Sequence, residues 1–155
     1  MIAKILLTFL ISMVPIIELR GAVPFGVAMG VNPFLALAVS IIGNIIPVPF
    51  VFLFARRFLE WGKDVKFLSK FCTWVLKKGE KGGKKLTAKA GQSIFIALVL
   101  FVGIPVPGTG AWTGTLAASL LDLDFKKSSI AVICGIILAG AIMLTLSLLG
   151  VAALG

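Results

Sequence analysis

The chain has 155 residues, of which 59% are hydrophobic and 14% charged, and its mean hydropathy is +1.13. That balance excludes an ordinary soluble domain. The absence of histidine, with only two cysteines, excludes histidine-based catalysis and the ligand spacings of zinc, haem and iron–sulfur sites. The formal net charge of +9 is concentrated in one connection between apolar segments, which argues against nucleic acid as a partner.

In chain order, the first apolar run, Ile5–Ile17, is only 13 residues long and stops at Glu18-Leu19-Arg20-Gly21. It leads into conformationally special residues rather than a small-residue cleavage site, so it is not read as a cleaved signal peptide. A second short run, Ala22–Val31, contains Pro24 and ends at Asn32-Pro33. Neither run reaches the roughly 20 apolar residues that a spanning helix needs. Phe34–Ala55 does, with Pro47 and Pro49 predicted to kink it and Asn44 placed to hydrogen-bond a hairpin tip or a second subunit.

Residues 56–89 follow, with eleven Lys/Arg against Glu60, Asp64 and Glu80. This excess marks the cytoplasmic side. Phe58, Trp61, Val65, Leu68, Phe71 or Cys72, and Val75 recur at three- and four-residue steps, with lysines between them. The pattern predicts a basic amphipathic helix, lying either on anionic lipid headgroups or over the protein's own cytoplasmic end. Gly79, Gly82 and Gly83 then break it into a lysine-rich turn.

The second half repeats the plan of the first. Ser93–Gly103 is short and breaks at Ile104-Pro-Val-Pro-Gly-Thr-Gly110, Ala111–Leu121 leads to Asp122 and Asp124, and Ser128–Leu149 is long enough to span. Cys72 and Cys134 are read as two buried free thiols. The expected fold is an all-α integral membrane protein forming a single domain over 1–155. Residues 1–55 form one repeat and 90–155 the other, joined by the 56–89 linker. Each repeat is a re-entrant broken-helix hairpin plus one full transmembrane helix, and the two have inverted topology. Hairpins that span fully are the alternative.

Ionisable residues inside a membrane segment are costly and mark functional sites by default, which singles out Glu18 and Arg20. Either they form an ion pair fixing the hairpin tip, or Arg20 meets an anionic ligand while Glu18 exchanges a proton. The Pro105–Gly110 break has two readings as well. Its amides and the helix start near Ala111 suit phosphate or carboxylate, or its glycines simply allow close packing. The candidate binding residues are therefore Glu18, Arg20, Gly21, Pro24, Asn44, Pro105, Pro107, Gly108, Thr109, Gly110 and Trp112. Asp122 and Asp124 read as solvated capping residues.

Glu18-Leu-Arg-Gly-Ala-Val-Pro24, Gly43-Asn44 with Pro47 and Pro49, and Pro105-Val-Pro-Gly-Thr-Gly-Ala-Trp112 resemble the small multi-drug export protein family, distantly similar to the DedA (VTT-domain) membrane proteins. That resemblance implies paired re-entrant hairpins and movement of polyprenyl-phosphate or phospholipid across the bilayer with proton coupling. The second half, however, carries no membrane-embedded arginine or carboxylate of the DedA kind. The expected function is a transporter or flippase for an amphiphilic, anionic lipid-like substrate, in the cytoplasmic membrane and as a homodimer. It is not expected to be an enzyme, and its chemistry needs no cofactor. A lipophilic-cation exporter and a non-transporting membrane organiser are the alternatives.

Overall fold

A computed structural model of the chain describes residues 1–74, 76–77 and 93–154. Its helices are α1 (Ile2–Met13), α2 (Glu18–Ala28), α3 (Pro33–Ile45), α4 (Pro47–Gly62), α5 (Ser93–Gly103), α6 (Ala111–Leu120) and α7 (Phe125–Leu154), with a further helical turn at 69–74. Their ends follow local chemistry. The Asn32 side chain accepts hydrogen bonds from the amides of Phe34 (3.0 Å) and Leu35 (3.3 Å), and Pro33 occupies the first turn, where its missing N–H costs nothing. Pro47 and Pro49 withdraw two amides from the helix ladder, and α3 passes into α4 at Ile46. α6 ends at Leu120, and Asp122 just beyond it, with a φ of +57°, turns the chain back, while the Asp124 carboxylate caps α7 by accepting from the Lys127 amide at 2.9 Å.

Two helices among the described residues are long and apolar enough to cross a membrane: Pro33–Gly62, in which α3 and α4 run on, and Phe125–Ala153. Each half thus supplies two short helices followed by one long one. In the first half, Lys4 at the start of α1 donates to the carbonyl of Met29 at the end of α2 at 2.8 Å, so the two short helices form a closed hairpin. Small residues let it sit against α3. A Cβ on Gly43 would strike Ser12 Oγ and lie 2.7 Å from the Phe9 carbonyl oxygen, and one on Gly26 would crowd Thr8 and Ala36. In the second half Val102 fits between Gly114 and Gly135, while Gly103 lies against Leu138. The halves interlock through α2 and α3 on α7, and α4 on α6. Leu19, Val23, Val48, Val102, Val132 and Ile136 form the shared core. Ser119 Oγ on α6 donates to the Phe52 carbonyl on α4 at 2.6 Å.

Three expectations need correction. The first hairpin breaks earlier than expected, at residues 14–17, so Arg20 and Gly21 stand in the first turn of α2, which Glu18 opens with a left-handed backbone. The continuous amphipathic helix is interrupted by turns at 63–68. Leu59, Cys72 and Leu76 close on Leu120 in a small second core, while Trp61, Phe67, Phe71 and Trp74 remain exposed. Cys134 is exposed on α7, not buried; Cys72 is buried as expected. Val75 and the glycine turn at 79–83 lie outside the described residues.

Candidate functional site

Glu18 and Arg20 do not pair with each other. Two positions apart in one helical turn, they point to opposite ends of the break between α5 and α6. The Glu18 carboxylate, 4% exposed, accepts hydrogen bonds from the amides of Ala111 (Oε2, 3.2 Å) and Trp112 (Oε1, 2.9 Å). These are first-turn amides of α6, which lack intrahelical partners and carry the positive end of the helix dipole. Gly110 makes this approach possible, because a Cβ there would strike the carboxylate, and its φ of +145° is open mainly to glycine.

Arg20 serves the other end. Its guanidinium donates to the carbonyls of Val102 (3.0 Å), Ile104 (3.0 Å), Val106 (2.9 Å) and Thr109 (2.9 Å), and to Thr109 Oγ1 (3.0 Å). α5 stops at Gly103 because Pro105 offers no amide, and the fork of Arg20 gathers the carbonyls left over. One tripeptide of the first half therefore caps both ends of the broken helix in the second. The Glu18 backbone (φ +51°) and that of exposed Ile16 (φ +80°) occupy the left-handed region to deliver this geometry.

The donors that one of the two readings offered to an anion are accordingly engaged within the protein. The α6 amides hold Glu18, and Arg20 faces carbonyls.

Beside this clamp lies an open cleft of about 1100 Å³. Of the candidate binding residues, Glu18, Arg20, Pro105, Pro107, Gly108, Thr109 and Trp112 line it, and Gly110 stands just behind the Glu18 carboxylate. Gly21 and Pro24 do not reach it: Gly21 packs on Ile17, and Pro24 lies inside α2. Asn44 is 1% exposed and sits deeper, behind Trp112. Sequence reading missed the opposite wall, formed by Phe50, Phe54 and Phe58 of α4 with Phe71. The four-residue spacing of the first three was the available signal, since it places them on one helix face. Glu18 is the sole acidic residue among the described lining residues. No group of three His, Cys, Asp or Glu side chains that could hold a metal occurs among the described residues.

An all-helical architecture with two apolar helices of membrane-crossing length, wrapped by short broken helices, defines a polytopic membrane protein. The chain belongs to the family described as "Putative small multi-drug export protein", whose model matches residues 18–142, from the clamp carboxylate to the middle of α7. No curated protein and no solved structure matches it.

Proposed function

We propose that this protein is a transporter exporting lipophilic cations, and that the cleft beside Glu18 is its substrate site. The observation carrying this reading is a large aromatic-walled cleft in which a buried carboxylate is the only acidic side chain among the described lining residues. Aromatic faces attract cations by their quadrupole, and a carboxylate in an apolar wall adds a charge-specific partner. The family description points the same way. Lipid translocation stands second, because the guanidinium and the helix-start amides that would take a phosphate already have partners. The chemistry is movement rather than catalysis, and no cofactor enters it.

The remaining parts of the proposal concern the assembly. Each half forms a re-entrant hairpin plus a spanning helix, in opposite orientations, with the Lys4–Met29 bond supporting hairpin entry and exit on one face. The whole chain acts as one domain in the cytoplasmic membrane, with 56–89 on the cytoplasmic side. Exposed Trp61, Phe67, Phe71 and Trp74 beside Lys63, Lys66 and Lys70 suit an anionic headgroup layer. A homodimer closes the open side of the cleft.

The test is uptake of tetraphenylphosphonium into liposomes containing purified protein under an imposed pH gradient. Gradient-dependent uptake by the wild type, abolished in a folded Glu18→Gln variant, is expected. Wild-type liposomes indistinguishable from empty ones, while exchanging a fluorescent phospholipid between leaflets, would transfer the assignment to lipid translocation.

A further inference from the structure

Behind the inner wall of the cleft, three side chains hold polar atoms with no partner. Both amide atoms of Asn44, Thr115 Oγ1 and Trp112 Nε1 are buried without a hydrogen bond. Asn44 and Thr115 are each 1% exposed. All three residues line one tight space between the α3–α4 junction and the first turns of α6, too small in this arrangement for a water molecule. In a membrane interior such a group forgoes hydrogen bonds that no lipid replaces, so four such atoms on three residues lining one space call for a guest. Trp112 and Val51 line both this space and the cleft, so the indole is the partition between them. Trp112 is also the residue whose backbone amide is held by Glu18 (2.9 Å), which anchors the main chain that carries the ring at the boundary.

We propose that Asn44, Thr115 and Trp112 Nε1 form a hydrogen-bonding subsite that opens off the cleft when the Trp112 side chain shifts, and that it receives an uncharged polar group of the substrate. The donor and acceptor inventory sets the class of that group. Asn44 supplies both a donor and an acceptor, Thr115 supplies both on one oxygen, and Trp112 supplies a donor only. No charged side chain among the described residues lines the space, so a hydroxyl or amide fits it better than an ion. The subsite rests on the export reading above: the cleft takes the apolar cation, and the polar pocket discriminates among such cations. A site built to hydrogen-bond one substrate group selects strongly against analogues lacking it, because its own buried groups are then left unpaired.

The experiment compares binding of tetraphenylphosphonium with its analogue bearing one phenolic hydroxyl, by equilibrium dialysis against purified full-length protein in nanodiscs. The wild type is expected to bind the hydroxylated cation about five- to tenfold more tightly, the range of one added hydrogen bond. Thr115→Val, nearly isosteric and outside the cleft lining, should reduce that preference while leaving the affinity for the parent cation unchanged. Trp112→Phe, which removes the N–H donor together with part of the cleft wall, should reduce the preference whatever it does to parent-cation affinity. Asn44→Leu should abolish it; the other two variants stand if this one misfolds. Equal binding of both cations by the wild type, or a preference surviving all three substitutions, would overturn the subsite and leave the cleft intact. Binding of neither cation would overturn the export reading itself, and the subsite with it.

Discussion

Replacing Arg20 with methionine tests whether the guanidinium holds the second hairpin together. The substitution keeps the apolar stem and removes all five of its donated hydrogen bonds. Not every acceptor is then stranded. The Ile104 carbonyl still accepts from the Val106 amide at 2.9 Å, and the Val106 carbonyl from the Thr109 amide at 3.1 Å. The Val102 and Thr109 carbonyls keep no such partner, because residue 105 is proline and the Val106 amide is taken by Ile104. Two orphaned carbonyls at ~1–3 kcal/mol each amount to ~2–6 kcal/mol. That is a large share of a typical total stability of ~5–15 kcal/mol. By the scaling of soluble domains of this size, the melting temperature should fall by roughly 5–20 °C. Cys72, 2% exposed in the small second core, is a built-in reporter. In a Cys134→Ser background, thiol labelling against temperature reads the opening of the fold. Arg20→Lys should fall between the two, since a compact ammonium with three donors cannot span four carbonyls. An Arg20→Met melt within about 2 °C of wild type would refute the capping role.

Three further outcomes follow from the same geometry. Gly110→Ala should displace Glu18 from the α6 amides, because the new Cβ meets the carboxylate and the φ of +145° disfavours it; loss of cation uptake with retained hairpin helicity is the measurement. Arg56→Ala should change thermal stability by less than about 1 kcal/mol, because its Glu60 and Asp122 partners are both solvent-exposed and such pairs are screened. Ile16→Gly should raise the melting temperature slightly, relieving about 1 kcal/mol of strain at a β-branched residue held at φ +80° with its side chain 96% exposed.

The punctuation of this fold is written in its prolines, glycines and asparagine. The end of α5 at Gly103 reads off the sequence, and the start of α6 at Ala111 follows from Pro105, Pro107 and Gly110. Both long helices were legible from hydropathy alone, since lipid accepts only backbone that satisfies itself. The importance of Glu18 and Arg20 was equally visible, because charge is rare in apolar segments. Their partners were not. Those partners lie 82 to 94 residues away, and no local pattern records which helix end a side chain will meet. Nor does sequence reveal that Ile16 and Glu18 adopt left-handed backbone, against the preference of both residues, so the first break falls before the charges and not upon them. Composition and helix punctuation determined the class of protein and its broken helices. Only the packing of one half against the other decided that a carboxylate and a guanidinium, readable in sequence as an ion pair or as ligand partners, cap the two ends of a helix break.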